Sequence, residues 1–268
     1  MVDFISIICL VKTTLTFLGT STSVGIPVIG CDCPSCISHD PKDQRMRSSV
    51  YLQTESHSIL VDSGPDLRQQ ALKHNLKQVD AVLYTHSHLD HITGFDELRA
   101  FCWRRDEPLP MYSSQACLDQ LAHMFAWAFS PKNIYKGYIK PDPRPITKPF
   151  ALGKTTITPI PVEHGSVETL GYRFDEEAGS KIAYIPDAKV IPNSNLDLLH
   201  GLDHLIIDAL RPTPHNTHLS IPESVEIALA LNPKQTWLTH ISHETDYKLE
   251  QAKLPPNITF AYDGLTIS

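Results

Sequence analysis

Short runs of Val, Ile, Leu, Thr and Tyr recur along the chain at 15–18, 50–53, 58–61, 81–84, 155–160, 181–185, 204–207 and 236–238. Runs of this length, rich in β-branched and aromatic residues and separated by turn-forming residues, predict strands. Between them apolar positions return with helical spacing over 66–74, 114–129 and 222–230. Ser220 precedes the last of these and Glu223 follows three residues later, the spacing of a capping box. Strands and helices mix along the whole length without a repeat or a low-complexity tract, which predicts one α/β (α+β) domain over 1–268.

Two segments stand apart from that pattern. Residues 1–13 read as an N-terminal extension, an extra strand or the product of an upstream start. Its apolar run over 4–11 is well short of the ~20 residues of a membrane helix and has no basic residue before it, so neither an anchor nor a signal peptide is expected. Residues 102–150 read as an insertion or a lid, a helical pattern followed by a return through Pro141, Pro143, Pro145 and Pro149.

Composition narrows the function classes. With 41% hydrophobic and 20% charged residues, the 268-residue chain falls outside the ranges of disordered chains and coiled coils. Its 23 Lys and Arg against 30 Asp and Glu leave a net charge of −7 and no basic track, so a long nucleic acid is not an expected partner. Three of the six Cys fall within six residues, a spacing that favours shared metal ligation over a disulfide framework and predicts a reducing, cytoplasmic compartment. The 14 His outnumber the 12 Gly, which makes metal the leading question.

The strongest signal follows the run at 81–84, in AVLYTHSHLDHITG. His86, His88, Asp90 and His91 crowd into six residues just past the end of a predicted strand. Alternation puts His86 and His88 on one side of the turn, while Asp90 and His91 can face a second point a few ångströms away, an arrangement suited to two ions. A second cluster, Cys31, Cys33 and Cys36, supplies three thiolates, one ligand short of a closed tetrahedral zinc site.

The HxHxDH run resembles the signature of the metallo-β-lactamase-fold hydrolases. That resemblance implies a four-layer αββα sandwich with two mixed β-sheets. It also implies later ligands at strand ends, which His164, Asp187 and His240 match in order and context. Carried over, His86, His88 and His164 hold one divalent ion, Asp90, His91 and His240 a second, and Asp187 bridges them; Asp62 props the His loop from behind. Within the superfamily the chain is similar to the PhnP-type phosphoribosyl cyclic phosphodiesterases, through Gly94-Phe95-Asp96-Glu97-Leu98-Arg99, Leu18-Gly19-Thr20-Ser21 and the Cys cluster. That likeness implies a structural zinc on Cys31, Cys33, Cys36 and His243.

The activity so implied is metal-dependent hydrolysis of a small cyclic phosphodiester of the 5-phosphoribosyl 1,2-cyclic phosphate type. Two zinc or manganese ions would supply hydroxide by lowering the pKa of a shared water toward about 7. The leaving oxygen needs a proton, and similarity to phosphodiesterases of this fold points to His218 as the acid, with His215 as the alternative. Asp90 and Asp187 would serve the chemistry as ligands, and Arg211 is a candidate contact for a substrate phosphate. A tRNA 3′-processing-like nuclease, a thioester or lactone hydrolase, and a non-hydrolytic protein like pyrroloquinoline quinone biosynthesis protein B are the alternatives. No membrane partner is expected, and a homodimer is left open.

Overall fold

The short apolar runs build two sheets of seven strands each. The computed structural model describes residues 13–103, 105–177 and 179–268; apart from Thr13, the N-terminal extension lies outside the described residues. In the first sheet β1 (Thr14–Gly19), β2 (Ser49–Gln53), β3 (Ser58–Val61), β4 (Ala81–Leu83), β5 (Leu109–Ser113) and β6 (Pro141–Pro145) lie side by side in chain order. The second runs β7 (Phe150–Leu152), β8 (Thr155–His164), β9 (Val167–Glu176), β10 (Lys181–Ile185), β11 (His204–Asp208), β12 (Gln235–Thr239) and β13 (Ile258–Phe260). The last strand, β14 (Thr266–Ile267), returns antiparallel to β1. Each sheet opens antiparallel and becomes parallel, from β3 to β6 in one and from β10 to β13 in the other.

Both faces of each sheet are covered, so the strands read as nearly continuous apolar runs. In β2 and β3, Val50, Leu52, Ile59 and Val61 point into the core between the sheets, where they meet Tyr172, Phe174, Tyr184 and Ile206. The intervening Tyr51 and Leu60 face the opposite side and pack with Leu67 of α1 (Leu67–Lys73) and Ile92 of α2 (Leu89–Ile92). Cys102 of α3 (Arg99–Cys102), Leu118 and Leu121 of α4 (Gln115–Met124) and Ala128 of α5 (Ala126–Phe129) complete that layer. On the far side, Ala183, Ile185, Leu205 and Ile207 bury themselves against α6 (Asn193–Leu196), α7 (Ile221–Leu231) and α8 (Tyr247–Gln251) through Leu196, Ala228 and Tyr247. The four layers are helix, sheet, sheet, helix, the expected αββα sandwich.

Residues 102–150 are woven into this plan rather than inserted in it. β5 and β6 are parallel neighbours, and parallel strands need a long crossover, which α4 and α5 provide. β6, with its prolines, takes the sheet edge, where missing N–H groups cost no ladder bond. The helical pattern over 114–129 breaks at Phe125, whose ring stacks on Phe95 at 4.3 Å and turns the chain. The capping box forms at α7, where the Ser220 backbone N–H donates to Glu223 Oε2 at 2.7 Å.

Ten-residue β9 is absent from the predicted strands, because Glu168, Gly171, Arg173 and Asp175 interrupt its apolar positions. Its inward residues Leu170, Tyr172 and Phe174 alternate as a strand requires. β8 outruns the prediction to reach His164, and its Pro159 and Pro161 lie beyond the short pairing with β7. Among the described residues no helix is long and apolar enough to cross a membrane.

Candidate metal centre

Six strand ends deliver their following residues to one rim: Asp62 after β3, His86 after β4, His164 at the end of β8, Asp187 after β10, Asp208 at the end of β11 and His240 after β12. In the parallel parts of α/β sheets the carboxyl ends of strands gather ligand sites. Asp62 and His240 both adopt left-handed backbone, at φ 64° and 57°, a conformation that costs a non-glycine residue energy and is concentrated at functional sites.

The geometry brings the seven expected ligands together. His86, His88 and His164 form one group and His86, His91 and Asp187 another, the ligand atoms within each lying within 4.8 Å of one another. Asp90 Oδ2 and Asp187 Oδ2 both stand 3.3 Å from His91 Nε2, and Asp187 Oδ1 is 3.3 Å from His240 Nε2 and 3.9 Å from His164 Nε2. Asp187 thus lies between the two groups.

Each inward-facing nitrogen is aimed by a bond on the other side of its ring. His91 Nδ1 donates to Asp62 Oδ2 at 2.8 Å, and Asp62 is itself held by the backbone N–H and hydroxyl of Thr85. His86 Nδ1 meets the Thr85 hydroxyl at 3.0 Å, His164 Nδ1 donates to the Thr217 carbonyl at 2.7 Å, and His240 Nδ1 meets the Ser48 hydroxyl at 3.1 Å. Such bonds fix tautomer and orientation for metal ligation. Asp62 occupies its expected place behind the His loop. Thr85, Ser48 and the Thr217 carbonyl escape the sequence reading, since Ser and Thr carry no spacing signal of their own.

The donor set fits divalent cations. Nε2 of His86, Nε2 of His91 and Oδ2 of Asp187 are buried without a hydrogen-bond partner among the described residues, a cost that coordination would remove. Burial pushes the imidazoles of His86 and His240 well down, and that of His164 down to about 4, so these rings are neutral and free to ligate at pH 7. Burial would lower His91 too, but Asp187, Asp90 and Asp62 outweigh it and hold the ring protonated. Burial raises Asp187 to about 7. Carboxylates enclosing one imidazole call for positive charge, which a divalent ion supplies more fully than a shared proton.

His218 stands on the wall of the same cavity, a space of about 390 Å³ bounded also by Ser23, Thr217 and the turn at Gly165 to Val167. Its Nδ1 lies 2.8 Å from Asp208 Oδ2, and its ring stacks on His240 at 4.9 Å. Asp208 was not singled out from the sequence, although a strand ending in Asp is the same signal that marks Asp62. His215, the alternative acid, binds the amide of Thr217 through Nδ1 and does not line the cavity.

Arg211 is a correction. Its guanidinium pairs with Glu244 at 3.0 Å and donates to the carbonyls of Thr213 and Pro214, so it clamps the loop and stays outside the cavity. Among the described residues of 102–150, none lines the cavity.

The Cys cluster closes as a tetrad: Cys31, Cys33, Cys36 and His243 present their ligand atoms within 4.8 Å of one another. His243 Nδ1 is 3.3 Å from Cys31 Sγ and 3.4 Å from Cys33 Sγ. Three sulfurs and one imidazole in this arrangement match a structural zinc site. Burial, which raises the Cys33 thiol, is outweighed by hydrogen bonds from the Cys36 backbone and His243, which bring it down to about 7, while burial pushes Cys36 up to about 11.

Comparison with known proteins agrees with this geometry. The family model for the beta-lactamase superfamily domain matches residues 57–241. The crystal structure of a diphosphatase from the PhnP family is 39% identical and superposes with a TM-score of 0.87, covering 95% of this chain and 96% of that one. The octanoyltransferase of Porphyromonas gingivalis (strain ATCC BAA-308 / W83) is 35% identical over 258 residues, 92% of this chain and 50% of that protein, so the chain spans half of that relative's length. Coenzyme PQQ synthesis protein B of Methylobacterium sp. (strain 4-46) is 25% identical over 221 residues, 71% of each chain. With the family match over most of its length and a His/Asp cluster built for divalent cations, this chain belongs to the beta-lactamase superfamily, as a metal-dependent hydrolase of its PhnP family.

Proposed function

We propose that the chain hydrolyses a small phosphodiester, of the 5-phosphoribosyl 1,2-cyclic phosphate type, in a reducing, cytoplasmic setting. One zinc or manganese ion would sit on His86, His88 and His164 and a second on Asp90, His91 and His240, with Asp187 between; a structural zinc would sit on Cys31, Cys33, Cys36 and His243. The observation that carries the phosphoester reading is His218, held by Asp208 on the wall of the metal cavity. An alkoxide leaving phosphorus needs a proton, whereas a thiolate leaving a thioester does not.

When bound, the two ions lower the pKa of water enough to provide hydroxide near neutral pH and offset charge on the phosphoryl oxygens. The protein's part is to place and hold protons. Burial pushes Asp208 well up and His218 down, so the two share one proton across the 2.8 Å between Oδ2 and Nδ1. His218 Nε2 then carries the proton given to the leaving oxygen, and the shared proton settles on Nδ1 as it goes. Among the described residues, no Lys or Arg lines the cavity. A substrate with one phosphodiester charge suits that wall better than an RNA backbone, which needs basic contacts.

A second reading, hydrolysis of a diphosphate linkage, is favoured by the PhnP-family relative that is a diphosphatase. The octanoyltransferase relative extends well beyond this chain, which matches half of its length. The test is turnover of 5-phosphoribosyl 1,2-cyclic phosphate, an aryl phosphodiester and a dinucleoside diphosphate by the ion-loaded chain. Both phosphodiesters should react, and Asp187→Ala should slow them by on the order of a thousandfold or more. Turnover confined to the diphosphate would replace this reading by the second, and inertness toward all three with ions bound would end both.

A further inference from the structure

The loop between β11 and α7 carries the carbonyl that aims a metal ligand, yet the backbone does not hold its middle. On one side Arg211 clamps the carbonyls of Thr213 and Pro214, and on the other the Leu219 amide donates to the Ala188 carbonyl at 2.7 Å. Between these anchors residues 215–218 make no backbone-to-backbone hydrogen bond among the described residues. Their shape therefore rests on side chains. His218 is tied to Asp208. Thr217 accepts from His164 Nδ1 through its carbonyl at 2.7 Å, and its methyl lies where a Cβ on Gly165, the residue after His164, would come within 3.2 Å. Among the described residues, what fixes Thr217 from the other side is His215.

His215 Nδ1 lies 3.3 Å from the Thr217 amide nitrogen and 3.2 Å from its hydroxyl. An amide only donates, so Nδ1 offers its lone pair and the proton of the neutral ring sits on Nε2. A side-chain acceptor bonded to the amide two residues on is a turn that Asn and Asp commonly make, and here an imidazole makes it. Burial and the neighbouring His218, Arg211 and Lys189 lower the pKa of this ring against the pull of Glu244, which keeps Nδ1 unprotonated at neutral pH. We propose that His215 is a positioning residue: its Nδ1 fixes Thr217 so that the Thr217 carbonyl holds His164 in the rotation that presents Nε2 to the ion on His86, His88 and His164. The route is two links long, His215 to Thr217 and Thr217 to His164. It rests on the ligand set of the proposed function and is independent of the substrate.

The test is cobalt(II) titration of the full chain with zinc kept on the Cys tetrad, following bound cobalt per chain and its visible absorption. His215→Ala and His215→Gln should each weaken cobalt binding at one of the two rim sites by about tenfold and change the absorption of that ion. His215→Asn should stay within about threefold of the wild type, because Asn Oδ1 hangs from Cγ as Nδ1 does and can take the Thr217 amide. Gln Oε1 sits one bond farther out and misses it. The zinc content of the tetrad, whose ligands lie outside this loop, reports the fold of every variant, and the contrast between Asn and Gln decides even if the Ala variant unfolds. Asn and Gln variants that bind cobalt alike, or a folded Ala variant with wild-type affinity and absorption, would overturn the proposal. A wild type that binds no cobalt at the rim would overturn the ligand set with it, whereas inertness toward phosphodiesters with cobalt bound would count against the substrate alone.

Discussion

What separates His218 from the other histidines of the rim is the carboxylate behind it. Nδ1 of His91 also faces a carboxylate, but its Nε2 looks onto Asp90 and Asp187, whereas Nδ1 of His218 is taken by Asp208 and its ring forms cavity wall. If this imidazole supplies the leaving-group proton, its removal should matter in proportion to the basicity of the leaving oxygen. His218→Ala should cost about 100-fold or more in kcat on an alkyl or cyclic phosphodiester, and much less on a nitrophenyl ester, whose leaving group departs unprotonated. Equal losses on both substrates would make His218 a structural or ligating group instead.

The same scale sets a pH dependence at the Cys tetrad. Cys36, raised to about 11 by burial, keeps its proton throughout the neutral range, and Cys33, at about 7, loses its own across it. Zinc takes thiolates, so binding displaces these protons and affinity must rise with pH. Competition against a chelator of known affinity should show a gain of at least about tenfold per pH unit between 7 and 8, where Cys36 is the protonated partner, and a steeper gain below 7 as Cys33 joins it. An affinity flat across that range would exclude this tetrad as the zinc site.

Elements meet beneath the His loop by backbone contact alone. A Cβ on Gly94 would lie 2.0 Å from the Gly64 carbonyl oxygen, and one on Gly64 2.1 Å from that of Asp90. α2, which carries Asp90 and His91, therefore rests directly on the turn that follows Asp62. Gly94→Ala should destabilise the fold by about 1–3 kcal/mol and weaken metal binding at Asp90 and His91, which thermal unfolding and metal titration would read out together. A variant with wild-type stability and affinity would show that the loop tolerates displacement.

Much of this element layout was legible from the pattern of apolar runs. The strands leading to Asp62, His86, Asp187 and His240 all stand where short β-branched runs predict them, because burial on both faces leaves little room for polar residues. β9 was hidden by Gly171 and its charged neighbours, and β6 by prolines that only an edge strand tolerates. Residues 102–150 read as an excursion because a crossover between parallel strands, which α4 and α5 form, has the length and polarity of an inserted loop. Asp208 was visible as a strand-ending Asp but had no motif around it, and Arg211 resembled an anion contact until Glu244 claimed it.

Across the whole molecule, distant segments close on the metal rim. His243, three residues after His240, meets through Nδ1 the thiols of a loop more than 200 residues earlier in the chain, and Ser48, just before β2, reaches His240 itself. Ser23, which faces the metal cavity, lies on the chain path leading into that Cys loop. A zinc ion on the tetrad would therefore brace both a ligand and a cavity wall. Cys36→Ser should lower the unfolding temperature and weaken metal binding at the His240 site by about 10- to 100-fold, read as a higher ion concentration needed for half-maximal turnover. An unchanged ion requirement would uncouple the two sites.

The central claim is that hydrolysis depends on ions held around Asp187. The direct measurement is phosphodiester turnover by chelator-stripped protein as divalent ions are restored, with bound ions per chain counted at each step. Turnover should reach its maximum only when two ions have been added beyond the one on the Cys tetrad, and Asp187→Ala should neither bind that pair nor turn over at any loading. Full turnover at a single ion per chain, or wild-type turnover in Asp187→Ala, would contradict it.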